Sequence, residues 1–260
     1  MKVKASVEKW GHYWRTFRSS LTHQVYLESV VETIAKRIKH SFSGEKKPLL
    51  LDIGCGQGQL DVCLAEKTGC QIVAVDIIKE ALGVGKRLLE ERKLHGQVSL
   101  ILASVFQLPF SDNSFDIAVS TGSESAEAYY GATEEASRVV AGDGHLFIDF
   151  IRMPNLYQPL RSFKSYFQYR KASRKRSRGE ETKYFHYGKL GLKKRFENEL
   201  GLKILKIWRM NNAPPLGSSI TRLRFEKTLG RLLSLLLART ILVEFINKSK
   251  CPVKLMASGE

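Results

Sequence analysis

The first patterned stretch of the chain places Leu27, Val30, Val31, Ile34 and Ile38 three to four positions apart, which predicts an amphipathic helix over 25–38. From residue 49 the period changes. Short apolar runs at 49–51, Gln71–Asp76, Val98–Leu102, Phe115–Ser120 and 145–151 read as strands, with helices expected over 60–67, 78–93 and 134–140. Gly142, Asp143 and Gly144 are expected to turn the chain into the fifth strand. A helix over 190–200, stopped by Gly201, leads into an alternating sixth strand at Leu202–Met210. Pro214 and Pro215 then break the chain, a basic leucine-rich helix follows over 221–239, and a β-branched run at 240–246 reads as a seventh strand. The pattern predicts an α/β fold, a doubly wound, seven-stranded, mostly parallel sheet with strands six and seven as its antiparallel edge. The expected division is an N-terminal helical lid or extension at 1–48, then a Rossmann-like domain at 49–260 carrying a basic insertion at 152–189.

The chemistry gathers where the first strand ends. Asp52 is followed by Gly54, Gly56 and Gly58 at alternate positions, a turn that can take positive φ and bring a ligand against bare backbone. The helix beginning after it offers free N–H groups to an acidic group. The spacing fits neither the dinucleotide fingerprint G-x-G-x-x-G nor a P-loop. Cys55 lies inside the turn, where a small side chain is required. Asp76 ends the second strand eighteen positions past Gly58, near the separation at which an acid meets a ribose diol. The same carboxylate is also placed to cap the helix that begins at about Lys79. Together the two segments point to a cofactor that bears a nucleoside.

Further blocks follow in order: Leu108-Pro109-Phe110, Asp112, Ser114-Phe115-Asp116-Ile117-Ala118-Val119, Glu135-Ala136-Ser137-Arg138-Val139-Val140 and Gly142-Asp143-Gly144-His145-Leu146. Over about residues 45–151 the sequence resembles the class I, Rossmann-like S-adenosylmethionine-dependent methyltransferases, in their type 11 or UbiE-like subgroup. The resemblance implies S-adenosylmethionine as cofactor, with Gly54, Gly56 and Gly58 along its methionine part, Asp76 on the ribose and Ile77 against the adenine. Asp52 would orient the turn and reach the amino group through water. An acid that commonly meets the adenine amino group in this family is absent, and Ser104 and Val105 stand in its place. Ser120 ends the fourth strand, whose exit should border the donor sulfur. Glu124 just beyond it, and His186, are the candidate general bases; each is equally readable as structural, the acid serving the helix dipole and the histidine lying in a loop.

Composition changes the picture mainly through charge. The net charge is +16, and residues 1–48, 49–151 and 152–260 carry +6, −8 and +18. An acidic core between basic flanks suggests an anionic partner, RNA or a membrane surface, or else a solvated basic exterior. In the insertion, eight Lys and Arg between Arg161 and Arg178 interleave with Phe163, Tyr166, Phe167 and Tyr169. That mixture suits phosphates and stacked bases, anionic headgroups, or a solvated loop. The aromatic run from Trp10 to Phe17 reads as a lid over the cofactor or as a staple to the core. Four cysteines without zinc spacing predict no metal site, and free thiols suit the cytoplasm, or a peripheral position at a membrane. The activity that the resemblance implies is methyl transfer to a small-molecule or lipid-like acceptor, an anionic one among the readings, since the subgroup it resembles acts largely on quinones, lipids and secondary metabolites. No N-P-P-Y or D-P-P-Y block marks a base-amino methyltransferase. RNA methylation, and a non-catalytic scaffold that merely binds the cofactor, are the alternatives.

Overall fold

The computed structural model describes residues 21–42, 44, 47–121, 126–151, 193–210 and 240–248. Helix α1 (Leu21–Ser41) leads into β1 (Leu49–Ile53), α2 (Gln59–Thr68), β2 (Gln71–Asp76), α3 (Lys79–Glu91) and β3 (Val98–Leu102). Strand β4 (Phe115–Ser120), α4 (Ala126–Val139), β5 (Val140–Ile151), β6 (Leu202–Met210) and β7 (Thr240–Asn247) complete the order. The seven strands form one sheet in the order β3-β2-β1-β4-β5-β7-β6. Strands β1 to β5 are parallel, and β7 lies antiparallel between β5 and β6. The mostly parallel sheet with an antiparallel edge therefore stands as expected.

Alternation along each strand sorts the side chains onto two faces. Leu50, Ile72, Ala74, Ile117, Val119, Phe147 and Leu242 pack under Val30, Val31, Ile34 and Ile38 of α1 and Leu60, Val62 and Leu64 of α2. Leu51, Ile53, Val75, Ala118, Leu146, Ile148, Phe150 and Phe245 meet Ala136 and Val139 of α4, together with Phe196.

Two boundaries differ from the pattern. The fifth strand begins at Val140, and the Gly142-Asp143-Gly144 segment lies within it as an irregularity. Phe115 pairs with Val140, whereas Ile117, two residues on, pairs with His145, so the residues between are looped out of register. Asp143 takes a φ of 64° there. A Cβ on Gly144 would stand 2.6 Å from Val140 Cγ1 and 2.8 Å from the Asp116 carbonyl, so that position admits only glycine. The helix expected over 190–200 is a seven-residue π-helical turn, Lys193–Glu199. The segments Trp10–Phe17, 152–189 and 221–239 lie outside the described residues.

Helix α1 is fastened to the sheet by polar groups as well as by its apolar stripe. Arg37 grips Glu244 of β7 in a fork, Nη2 to Oε1 at 2.8 Å and Nε to Oε2 at 2.9 Å. His145 Nδ1 lies 2.8 Å from the same Oε1, and the Tyr26 hydroxyl donates to Asp149 of β5. Glu244 is fully buried, so these partners are what make its charge tolerable.

Candidate cofactor site

The sheet's strand order reverses beside β1, whose neighbours are β2 and β4, and ligands of open α/β sheets lie at the carboxyl ends of strands at such a switch point. The glycine turn emerges there. Gly54, Gly56 and Gly58 have φ of 84°, 57° and 71°, in the region L side chains avoid. Gly54 and Cys55 both donate their amides to the Val75 carbonyl, at 2.8 and 3.0 Å, which ties the turn to the end of β2. A Cβ on Gly54 would meet nothing within 4 Å, so a bare strip of backbone faces open space. No side chain caps the start of α2 at Gly58. Helix α3 comes so near that a Cβ on Gly85 would sit 3.1 Å from the Gln57 carbonyl.

Asp76 is buried, and both of its oxygens are engaged. Oδ2 accepts the Gly56 amide and Oδ1 the Ile78 amide, each at 2.8 Å. The Oδ1 bond reaches Ile78, the residue before the helix, whose start carries no side-chain cap, and the Oδ2 bond holds the glycine turn. A carboxylate has about four acceptor positions, so about two remain for a ligand. Burial raises its pKa, against the pull of the Ile78 and Gly56 amides.

Asp52 faces away from α4, toward α2, and meets Asp61 in the first turn of that helix. Asp61 is completely buried and Asp52 is 2% exposed. Apart from each other's carboxyl, neither oxygen of Asp61 nor Oδ1 of Asp52 has a hydrogen-bond partner. Burial, followed by the charge of Asp61, pushes Asp52 well above the ordinary carboxylate range. Burial carries Asp61 to about 7. Cys55 is driven up likewise, by burial and then by the charges of Asp61, Asp52 and Asp76, so the thiol stays protonated.

The remaining candidates stand at or just beyond the carboxyl ends of β2, β3 and β4. Ile77 is half-buried beside Asp76. The Ser104 hydroxyl accepts the Phe106 amide at 3.3 Å, and Val105 lies next to it. The Ser120 hydroxyl donates to the Ile53 carbonyl at 3.1 Å, fastening the end of β4 to that of β1. Glu124 and His186 lie outside the described residues. A single network joins the sequence blocks downstream. Arg138 donates to the carbonyls of Leu108 (3.1 Å) and Phe110 (2.8 Å) and to Asp112 (2.9 Å), while Glu135 accepts the Leu108 amide at 2.7 Å. Among the described residues no cluster of His, Cys, Asp and Glu is arranged to hold a metal ion, and no helix is long and apolar enough to cross a membrane.

Asp61 is the site residue that sequence reading missed. The signal was there: Leu64 and Ala65, three and four positions on, are buried, which turns Asp61 toward the sheet.

A glycine turn at a switch point of a doubly wound sheet, with an acid ending the next strand, defines a nucleoside-binding α/β protein. Residues 51–148, less than half of the chain, match the family described as the methyltransferase domain, Methyltransf_11. The demethylmenaquinone methyltransferase of Listeria welshimeri is 30% identical over 128 residues, 48% of this chain and 54% of that protein. An O-methyltransferase of Aspergillus sclerotiorum, resE, is 33% identical over 104 residues, 40% of this chain and 38% of the other. The chain thus spans about half the length, or less, of these curated relatives. Among solved structures, the YcgJ protein of Bacillus subtilis superposes with a TM-score of 0.56 at 17% identity, over 85% of this chain and 99% of that one. Geranyl diphosphate C-methyltransferase from Streptomyces coelicolor, solved with Mg2+, geranyl diphosphate and S-adenosyl-L-homocysteine, gives 0.53 at 13% identity, over 83% and 77%. At such identities the structural likeness shows the fold.

Proposed function

We propose that this protein transfers a methyl group from S-adenosylmethionine to a small-molecule acceptor of quinone-like or lipid-like character. The observation that carries the reading is the pair of strand-end acids beside a glycine turn with three positive φ values. The residues present fit the cofactor. Gly54 leaves its backbone bare, Asp76 keeps acceptor capacity for a ribose diol, and Asp52 has an orphaned oxygen near the turn. Ile77 and Val105 offer apolar surface for the adenine, and Ser104 a hydroxyl for its edge.

When bound, the cofactor supplies a methyl carbon already activated by a sulfonium. The protein's task is then to hold donor and nucleophile in line and to exclude water, and orientation of this kind contributes several kcal/mol or more, about 7–11 in the best cases. Gly54, Gly56 and Gly58 would fix the amino-acid end, Asp76 the sugar, and Ser120 the end of β4 beside the reacting groups. Glu124 or His186 is the proposed base that would take the proton from an acceptor hydroxyl. The quinone-like acceptor is supported by the names of the Listeria relatives, and the basic flanks at 1–48 and 152–260 suit an anionic molecule or a membrane surface that presents it. Division into a lid at 1–48 and a catalytic domain at 49–260 is part of the same proposal.

Isothermal titration with S-adenosylmethionine tests the cofactor, and transfer of a labelled methyl group into quinone, lipid and RNA fractions tests the acceptor. Label in the quinone or lipid fraction is the expected result. Label in RNA overturns the acceptor, and binding without any transfer leaves the scaffold reading in its place.

A further inference from the structure

Two carboxyls packed against each other, with no cation beside them among the described residues, are the feature that the cofactor reading leaves unused. We propose that Asp52 and Asp61 hold one proton between them, and that the ammonium end of a ligand seated on the glycine turn expels that proton. The inference rests on the cofactor reading and adds a second carboxyl, and a proton, to the ligand's amino-acid subsite.

Asp52 comes from the end of β1 and Asp61 from the first turn of α2, and their carboxyls lie within hydrogen-bonding reach of each other. Three of their four oxygens are buried with no donor from the protein. Two adjacent carboxylates buried in this way resist being ionised together, because burial removes the screening of their repulsion and no counter-charge stands beside them among the described residues. The start of α2 favours one negative charge, not two. The other groups around the pair make matters worse. Asp76, from β2, adds a further charge. Cys55, in the turn, is pushed up by burial and by all three acids and brings no cation. His23, from α1, reaches Gln59 two residues before Asp61, and its pKa is lowered, chiefly by burial, which favours the neutral ring. One proton shared across the pair is the arrangement that satisfies both chains.

The position of the pair makes that proton responsive. A Cβ on Gly58 would stand 3.6 Å from Asp61 Oδ2, so only the thickness of the turn separates the acid from whatever lies on it. A positive charge on the turn favours the doubly ionised pair, and by reciprocity loss of the proton favours the positive charge. The step is a simple dissociation: the O–H bond breaks, its electrons stay on the carboxylate, and the proton goes to the buffer. Burial raises Asp61 to about 7, and burial with the charge of Asp61 raises Asp52 well above the carboxylate range. Affinity should therefore rise with pH through the region below 7 and go on rising until the pair's last proton is lost.

The test is calorimetric titration of the full chain with S-adenosylmethionine, in buffers of different ionisation enthalpy, at about pH 5.5 to 7.0. That window lies below the range, about 7.7–8.0, in which a free α-amino group itself titrates. Release of nearly one proton per ligand is expected, with affinity rising up to about tenfold per pH unit. S-adenosylhomocysteine, which keeps the ammonium but lacks the sulfonium, should release the proton as well. 5′-Methylthioadenosine, which has no amino-acid end, should release none. Asp61→Asn should bind S-adenosylmethionine with no proton release and a flat pH profile. Binding that exchanges no proton, or an unchanged pH slope in Asp61→Asn, overturns the proposal and leaves the cofactor reading intact. Failure of S-adenosylmethionine to bind at any pH overturns both. Should the variant not fold, the three ligands on the unaltered protein decide the matter by themselves.

Discussion

Asp76 Oδ2 accepts the amide of Gly56 at 2.8 Å, so the acid at the end of β2 holds the glycine turn that follows β1. With Oδ1 taking the Ile78 amide, one carboxylate joins the end of β2, the start of α3 and the turn after β1.

Replacement of Asp76 therefore has two separable consequences. Asp76→Asn directs an amide N–H at one of two backbone donors, leaving a buried N–H without an acceptor at a cost of about 1–3 kcal/mol. Thermal unfolding should show that loss in the ligand-free protein. Affinity for S-adenosylmethionine and for 5′-methylthioadenosine should fall together, by about ten- to a hundredfold, on losing the ribose contact and the turn's geometry. An equal loss for both ligands is the mark of a contact to the nucleoside. Calorimetry showing unchanged affinity for either would remove Asp76 from the site.

Asp61 should impose a pH dependence on the stability of the ligand-free protein. Its folded pKa of about 7 lies above that of an unfolded aspartate, so the native state binds the extra proton. Stability from this group is complete below about pH 4 and declines as pH rises through 7, a loss of at most about 4 kcal/mol. Asp61→Asn mimics the protonated acid and should escape the decline. Denaturant midpoints should then favour the variant over the parent protein at about pH 7.5, and the two should converge near pH 4. A variant less stable than its parent at the higher pH would contradict the shared proton.

Glu244 should act in the opposite sense. Burial opposes its charge, but the hydrogen bonds from His145 and Arg37 outweigh it and hold the pKa below the ordinary value. Its contribution is complete above the unfolded pKa, about 4.3, and disappears as pH falls through the lower folded value. Glu244→Gln cannot return the Arg37 fork and should cost about 2–3 kcal/mol near neutrality, less than a wholly buried pair because Arg37 is partly exposed. The deficit should shrink near pH 3, measured by urea unfolding at both pH values.

Much of this architecture was legible because its signals are local. Val98–Leu102 and Phe115–Ser120 read as strands from their apolar runs, and their observed bounds coincide with the reading. The turn after β1 was legible because alternate glycines have few other uses there. Departures occur where distant residues decide. The segment at Gly142–Gly144 looks like a plain turn, yet pairing of Val140 with Phe115 draws it into the sheet. Asp61 reads as an ordinary first-turn acid favoured by the helix dipole until β1 brings Asp52 against it.

What the amino-acid order determined by itself is the set of elements, the glycine turn and the acid that ends β2, because period, backbone permissiveness and short spacings act within a few residues. Only the tertiary structure decided which carboxyls share a space and which ions find partners. Asp52 and Asp61 meet because α2 folds back over β1, and Arg37 reaches Glu244 across more than two hundred residues of chain. Burial and pairing are relations between elements, and they alone turn ordinary acids into a proton store and an anchor for α1.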